Sequence, residues 1–282
     1  MIGKTGLCWD IIFEITEYLS LNDAITAFSP EIIPLLVKYK SKFHLSEPND
    51  NFTDIISPII KPDQIVSLCL NTVRPWSEIY FSTLSIFTEV RFLTLVNLHH
   101  NEQVSEYEKC FPKLNYLFLW YNEEADFDLL CNIVGHFQQP IKRLKISYPL
   151  LFSSQFDNAQ SIPNSAKNTT IEYLDLDTNQ SDQLHFFHCV FSSDTILWNL
   201  VKNMKSLRHI RFRTNKYNFQ AFLWEYIWTS LAKKCHQLNK VTLFITGGVL
   251  QDDRLTQKIE NIQNELYTVR ETINFQVIFV HL

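Results

Sequence analysis

A short pattern of apolar residues recurs along the chain, and it constrains the possible folds more than any other feature. Its clearest copy runs from Leu114 to Asn122, where the sequence LNYLFLWYN has leucine at the first, fourth and sixth positions. Six further copies have apolar residues at the same three positions. They begin at Ile65, Val90, Ile141, Ile171, Leu207 and Leu238, so that successive copies start 25, 24, 27, 30, 36 and 31 residues apart. A pattern repeated at this spacing predicts a chain built from stacked supersecondary units.

The spacing of the apolar positions predicts a strand within each copy. The fourth and sixth residues lie on one face of a strand, because side chains alternate between the two faces. A lone strand cannot bury this face, so neighbouring copies are expected to form a parallel sheet around one continuous core. Asn122, Asn179 and Asn215 hold the ninth position of three copies, where an amide side chain can bond backbone groups at the end of the strand.

The full pattern, L-x-x-L-x-L-x-x-N, resembles the consensus of leucine-rich repeats. The resemblance implies an α/β fold, a right-handed solenoid whose parallel sheet of about seven or eight strands is backed by helices. Spacings above about 29 residues exceed the usual repeat length and indicate long helices and loops behind the sheet. The sequence between the copies predicts helices at 76–87, 127–137, 183–204, 218–236 and 252–272, and a last strand at 275–279.

The composition indicates a folded protein without a membrane span. Of the 282 residues, 46% are hydrophobic and 22 are phenylalanine, which argues against a disordered chain. No apolar run approaches the roughly 18 residues of a transmembrane helix. Asp10, Glu14 and Glu17 interrupt the apolar N-terminal segment, which therefore does not match a signal peptide. The six cysteines form no C-x-x-C pair, so we expect reduced thiols and a cytoplasmic or nuclear location.

The sequence before the first copy has a different organisation. Residues 7–20 carry an apolar stripe opposite charged residues, which predicts an amphipathic helix. A second helix is expected to follow from about Ala24. Turn-forming residues and prolines then indicate a connection between domains. We therefore divide the chain into a helical domain at 1–46, a linker at 47–62 and a repeat domain at 63–282.

The N-terminal helical segment resembles the start of an F-box. It has the sequence LCWDIIFEI from Leu7, followed by leucine and aspartate at the spacing of the F-box pattern L-P-x-E-I-L-x-x-I-x-x-x-L-x-x-x-D-L. It departs from the pattern at Cys8, which replaces proline, and at Ala24, which replaces leucine. The resemblance covers about residues 7–45, and an F-box followed by leucine-rich repeats is a known family architecture.

The two resemblances together imply a substrate-recognition subunit of a cullin–RING ubiquitin ligase. The F-box of such a subunit docks a Skp-type adaptor of the cullin complex, and the repeats bind a target protein. The adaptor is then expected to contact Leu7, Ile11, Ile12, Ile15 and Leu19. A subunit of this kind has no catalytic residue and no cofactor, and it contributes proximity. The alternative is a protein-binding scaffold outside any ligase, in which the N-terminal helices cap the first repeat.

The third, fifth and seventh positions of each copy are expected to face away from the core, on the concave side of the sheet. We predict the target-binding site there, because aromatic and arginine side chains dominate the energy of protein interfaces. The predicted residues are Phe92, Tyr116, Phe118, Trp120, Arg143, Lys145, Tyr173, Asp175, Asp177, Arg211 and Arg213. His209, Lys240 and Phe244 hold equivalent positions. Alternatively, a loop at 153–170 folds over the aromatic row at 116–120 and buries it.

The charged residues of this site also have a purely structural interpretation. Lys145, Asp175 and Arg211 share the fifth position of consecutive copies, and Arg213 lies beside Asp177 at the seventh. Neighbouring parallel strands lie about 4.8 Å apart, so these side chains can form a ladder of salt bridges. Each exposed pair contributes well under about 1 kcal/mol. We favour such a ladder over a dedicated site for a charged ligand, although a ladder can still select a partner by charge.

The sequence offers no motif for catalysis, metal binding or nucleic-acid binding. It lacks the phosphate-binding, dinucleotide-binding, serine hydrolase and zinc protease motifs, so we expect no enzyme. His185, His188 and Cys189 have the spacing of one helix face, but no second ligand cluster follows, and a packed helix is favoured over a metal site. The formal net charge is −5, and Asp175 and Asp177 lie among the cations of the predicted site. Both observations argue against a protein that binds nucleic acid.

Overall fold

A computed structural model of the chain describes residues 43–46, 61–72, 81–82, 84–98, 102–121, 139–147, 170–177, 201, 204–216, 219–248 and 252–280. These residues contain a parallel sheet of nine strands whose order in the sheet follows their order in the chain. The strands are β1 (Phe43–Ser46), β2 (Ile65–Asn71), β3 (Phe92–Val96), β4 (Tyr116–Trp120), β5 (Arg143–Ser147), β6 (Tyr173–Asp177), β7 (His209–Asn215), β8 (Lys240–Thr246) and β9 (Asn274–Val280).

The helices that back the sheet lie between its strands. Three α-helices are described, namely α1 (Glu102–Cys110), α2 (Glu225–Lys234) and α3 (Asp253–Val269). Short 3-10 helices cover Pro62–Gln64 and Phe219–Leu223. The helix predicted at 218–236 is thus divided into a 3-10 segment and α2, and the helix predicted at 252–272 is confirmed as α3. Of the other predicted helices, 127–137 and most of 183–204 lie outside the described residues.

The core is formed by the apolar positions of the repeat. The first, fourth and sixth residues of all seven copies are buried, and none of them is more than 4% exposed. In the clearest copy, for example, Leu114, Leu117 and Leu119 all lie in the core cluster. The predicted alternation is therefore confirmed, as is an α/β fold with a parallel sheet backed by helices.

Backbone hydrogen bonds hold neighbouring copies in register. At the second position of a copy, the carbonyl oxygen accepts hydrogen bonds from two successive amides of the next copy. The carbonyl of Asn115 accepts from Lys142 and Arg143 at 2.9 and 3.1 Å, and the carbonyl of Lys142 accepts from Glu172 and Tyr173 at the same distances. Because this arrangement recurs along the sheet, equivalent positions of successive copies face one another.

The sheet begins earlier than the sequence analysis places it. Strand β1 pairs with β2, with Leu45 opposite Leu68, although residues 43–46 belong to the range assigned to a helical domain. Within the described residues the sheet therefore has nine strands, whereas seven or eight were predicted. The pattern missed this strand because Lys42 and Glu47 hold the positions at which the other copies have their first and third apolar residues.

The rest of the predicted N-terminal domain lies outside the described residues. This includes the predicted adaptor-binding residues Leu7, Ile11, Ile12, Ile15 and Leu19, and most of the predicted linker at 47–62. The placement of the helical domain and of its apolar stripe therefore stays a prediction. Within the part of the chain that the structure describes, no helix combines the length and the apolar character needed to cross a membrane.

Helix α3 and strand β9 complete the C-terminal part of the sheet. Asp252 is the N-cap of the helix, and its carboxylate accepts a hydrogen bond from the amide of Leu255 at 2.7 Å. Its apolar stripe buries Leu255, Ile262 and Leu266, and the helix packs against α2 and β9. The last strand predicted at 275–279 is confirmed as β9.

Candidate functional site

The predicted target-binding residues share the face of the sheet that is opposite the core, here called the outer face. The outer face has three rows of side chains, one for each of the third, fifth and seventh positions of the copies. From β3 to β8, the rows are Phe92, Tyr116, Arg143, Tyr173, His209 and Lys240; Thr94, Phe118, Lys145, Asp175, Arg211 and Thr242; and Val96, Trp120, Ser147, Asp177, Arg213 and Phe244. The structure therefore brings all eleven predicted residues onto one surface.

Aromatic side chains dominate the outer face on β3 and β4. Phe92 lies beside Tyr116 with 5.7 Å between ring centroids, and Phe118 stacks on Trp120 at 6.2 Å with nearly parallel rings. Phe92 is 47% exposed and Trp120 is 36% exposed, fractions that are large for apolar rings. The loop predicted to cover them lies almost entirely outside the described residues. The rings therefore form a half-buried platform on the side of the sheet away from the core.

Cationic side chains from β5 to β7 lie over aromatic rings of neighbouring strands. Lys145 Nζ is 4.2 Å from the centroid of Phe118, and the guanidinium carbon of Arg143 is 4.9 Å from that of Tyr173. Arg211 and Arg213 both approach the ring of Phe244, at 5.2 and 5.5 Å. A ring holds such a cation in place by its electron-rich face without neutralising it. The positive charge of the outer face is therefore held at fixed positions.

The ion pairs of the outer face agree with the predicted ladder in part. Asp175 pairs with both arginines of β7: its Oδ2 lies 3.5 Å from Arg211 Nη1, and its Oδ1 lies 3.7 Å from Arg213 Nε. The pair of Asp175 with Arg211 is the one that the ladder predicted. Arg213 lies opposite Asp177 in the sheet, as predicted, and its guanidinium also reaches Asp175 in the neighbouring row. Lys145, which the ladder also included, lies over Phe118 instead.

A pocket of about 430 Å³ opens on the outer face between β4 and β7. Among the described residues, the charged side chains of its lining are Arg143, Lys145, Arg211, Arg213 and Asp175, and its other polar side chains are Tyr116, Tyr173 and His209. In this described part of the lining, the four cations exceed the one carboxylate by three charges. A cavity with this lining favours negatively charged groups.

The environment of the pocket raises the pKa of two of its groups. Burial raises the pKa of Asp175 despite the opposing influence of Arg213, Arg211 and Lys145. Burial also raises the pKa of Tyr116, so its hydroxyl stays protonated. A protonated hydroxyl can donate a hydrogen bond to an anion. Desolvation is thus the main influence on the pKa of both groups.

His209 lies at the edge of the pocket, and the prediction did not include it. Burial, together with the charges of Lys240 and Arg211, lowers the pKa of His209 to about 4. Its Nε2 lies 3.0 Å from the hydroxyl oxygen of Thr242, and its ring meets that of Tyr173 edge to face at 5.9 Å. His209 is therefore neutral near pH 7. Its third position in the sixth copy was the signal that could have identified it.

Several further predictions concern cysteine and metal chemistry. Cys110 and Cys235 are free thiols, and burial raises the pKa of Cys235 to about 11. The helical segment with His185, His188 and Cys189 lies outside the described residues. Among the residues that are described, no group of three or more histidine, cysteine or acidic side chains is arranged to hold a metal ion.

The fold places this chain among the α/β proteins whose parallel strands follow one another in chain order. No protein-family model matches its sequence, and none of the curated proteins does. The outer face, with its aromatic platform and its cationic pocket, is therefore the basis on which a function can be inferred.

Proposed function

We propose that this chain is a protein-recognition subunit that binds a partner protein on the outer face of its sheet. The observation that carries the proposal is the continuity of this face from β3 to β8, where exposed aromatic rings lie next to cations held on rings. Tyrosine, tryptophan and arginine are the residues that contribute most to the energy of protein interfaces. Stacked repeats typically provide extended binding surfaces of this kind.

The face of the sheet used for binding is tested by replacing one tryptophan and one tyrosine. The variant Trp120→Ser, Tyr173→Ser removes rings that are 36% and 39% exposed on the outer face. We expect the dissociation constant of a partner captured by the whole chain, identified and then purified, to rise at least about tenfold, because each ring is a candidate hot spot. Titration calorimetry with the purified partner measures the change.

The matched control removes the same two residue types from the helical layer. Trp224 and Tyr226 are 56% and 52% exposed, more than the rings of the outer face. The variant Trp224→Ser, Tyr226→Ser should bind the partner as the unaltered chain does. Equal binding by the outer-face variant and this control would contradict the proposal, because the partner would then contact another surface.

We further propose that the repeats are leucine-rich repeats and that the chain presents its partner to a cullin–RING ubiquitin ligase. The support for this step is the resemblance of the N-terminal segment to an F-box and the order of the two regions in the sequence. The apolar stripe of Leu7, Ile11, Ile15 and their neighbours would then bind a Skp-type adaptor. The chain would contribute proximity between its partner and the ligase, and the chemistry would occur on other subunits.

One observation favours the alternative of a scaffold that works outside a ligase. Strand β1 adds directly to β2, so the sheet continues into the region where the helical domain was predicted to end. The second edge of β1 carries backbone groups that need a partner or a cover. An N-terminal segment that covers this edge would be a cap, and its apolar stripe would be part of the core.

The two versions of the proposal predict opposite results for one variant. If Ile11 and Ile15 dock an adaptor, Ile11→Glu, Ile15→Glu should abolish binding of a purified Skp-type adaptor to the whole chain and leave the melting temperature unchanged. If they belong to a cap, the same variant should melt at a much lower temperature, because carboxylates would replace buried side chains, and the unaltered chain should not bind the adaptor. Calorimetric titration and thermal unfolding decide between them.

A further inference from the structure

Among the described residues that line the pocket between β4 and β7, positive charges outnumber negative ones. Its carboxylate, Asp175, lies 3.5 Å from Arg211 and 3.7 Å from Arg213, measured between the nearest charged atoms. Charge-assisted hydrogen bonds are shorter, at about 2.7–2.9 Å. Asp175 is therefore a counter-ion shared between two arginines, and it forms with neither the close bidentate pair that an arginine and a carboxylate can form.

The cations on the opposite side of the pocket contact rings. Arg143 lies over Tyr173 and Lys145 lies over Phe118. A ring contact fixes the position of a cation but leaves N–H donors at its edge available to an oxygen acceptor. An oxyanion placed above β6 would thus lie between cations from β5 and β7, which are two strand spacings, or about 10 Å, apart.

We propose that this pocket binds an acidic side chain of the partner, a carboxylate or a phosphoryl group, and that Asp175 is the internal anion with which it competes. This inference rests on the proposed binding of a partner to the outer face, and it names the chemistry of the contact. A phosphoryl group, with about two negative charges at pH 7, fits the positive charge of the described lining more closely than one carboxylate does, even with Asp177 opposite Arg213 on the same face. His209 is neutral near pH 7 and adds no charge.

The surroundings of the pocket favour a protein segment as the source of this acidic group. Of the aromatic platform, Tyr116 lines the pocket and Phe118 contacts Lys145 of the lining. The exposed rings of Phe92 and Trp120 lie next to these two. Such rings suit the side chains that flank an acidic residue in an extended segment. A nucleic acid would instead bring a series of phosphates, whereas the formal charge of the chain is −5.

Pools of short synthetic peptides test the proposal with the whole chain. The central residue of each pool is phosphoserine, glutamate or serine, and the flanking residues are randomised. By fluorescence polarisation, we expect the phosphoserine pool, the glutamate pool or both to bind at least about tenfold more tightly than the serine pool. The pool with the tighter binding identifies which acidic group the pocket prefers.

Pocket variants show whether this preference arises at the proposed place. Lys145→Met and Arg211→Met should each reduce the preference to less than about threefold, since each removes one of four cations. Asp175→Asn should tighten binding of the acidic pools several-fold and leave the serine pool unchanged, because it removes the competing anion. Lys240→Met is the matched control: it removes a cation from the same face, on β8, outside the pocket lining, and should keep the preference.

The results that would overturn the acidic pocket differ from those that would overturn the proposed function. Equal binding of the three pools that is lost in Trp120→Ser, Tyr173→Ser would overturn the acidic pocket while supporting a binding outer face. An acidic preference that survives Lys145→Met and Arg211→Met, or binding of no pool, would also overturn the pocket, and the captured partner would still decide the function of the face. If a single-stranded oligonucleotide binds more tightly than any peptide pool, and its binding depends strongly on salt, the ligand of the pocket would be a nucleic acid and not an acidic protein segment.

Discussion

Replacing Trp228 by alanine is expected to lower the free energy of unfolding by about 3–5 kcal/mol, the usual range for removing a large aromatic side chain from a core. Trp228 lies on α2 and is completely buried. Its ring contacts Phe212 of β7, Phe222 of the preceding 3-10 helix and Phe275 of β9, with centroids 5.5, 6.4 and 5.3 Å away. One side chain thus joins the helical layer to two strands that are separated by β8.

The indole of Trp228 also forms a hydrogen bond that alanine cannot replace. Its Nε1 donates to the carbonyl oxygen of Phe222 at 2.7 Å, within a buried environment. Trp228→Phe keeps most of the ring contacts and leaves this carbonyl without its donor, so it should cost less than alanine, about 1–3 kcal/mol. Comparison of the two variants separates the packing of the ring from the hydrogen bond.

Unfolding in urea, followed by far-ultraviolet circular dichroism, measures both losses independently of tryptophan fluorescence. The control is Trp224→Ala, which removes the same side chain four residues earlier, where it is 56% exposed. A surface change of this kind should alter the free energy by less than about 0.5 kcal/mol. A Trp228→Ala variant as stable as this control would mean that α2 does not pack on β7 and β9 in solution.

The core of this fold could be predicted from the sequence because its buried residues recur at the same positions of each copy of the pattern. Leu117 and Leu119 are buried since alternating residues of a strand share a face, and the same rule applied to the other copies finds their buried residues too. The alignment of Lys145, Asp175 and Arg211 on neighbouring strands was predictable for a related reason. Equivalent positions of stacked repeats must face each other when one set of backbone hydrogen bonds recurs between them.

The contacts of long polar side chains could not be predicted in the same way. The repeat pattern defines where a side chain starts, and a guanidinium or an ammonium group can reach several neighbours from there. Arg213 consequently pairs with Asp175 of another row, and Lys145 lies over the ring of Phe118 on the preceding strand. The cationic pocket depends on these choices, so the sequence predicted its residues but not its arrangement. The role of Arg270 is a third example.

Arg270 is expected to stabilise the C-terminal part of the sheet by about 2–4 kcal/mol, because its charged donors bind several backbone carbonyls at once. It follows the last turn of α3, and its guanidinium donates to the carbonyls of Ala232, Cys235 and Leu238 over distances of 2.6 to 3.3 Å. Ala232 lies near the end of α2, where carbonyls lack partners within the helix and the helix dipole favours a cation.

Arg270→Met should therefore lower the free energy of unfolding by the whole of this contribution, because methionine keeps much of the side-chain volume but has no hydrogen-bond donor. Arg270→Lys should fall between methionine and the unaltered chain, since one ammonium group retains the charge but cannot span carbonyls that the planar guanidinium reaches together. The matched control is Arg254→Met at an exposed position in the first turn of the same helix, for which a change below about 0.5 kcal/mol is expected.

Hydrogen exchange shows which elements Arg270→Met destabilises. It therefore distinguishes the loss of a local bridge from a general loss of stability. Arg270 connects α3 to the end of α2, so Arg270→Met should speed exchange most in α2, α3, β8 and β9 and least in β3 and β4, because each repeat contacts only its neighbours. A uniform increase along the whole sheet would contradict a local role. Equal stability of the methionine and lysine variants would show instead that the fork of donors, rather than the positive charge, is what joins the two helices.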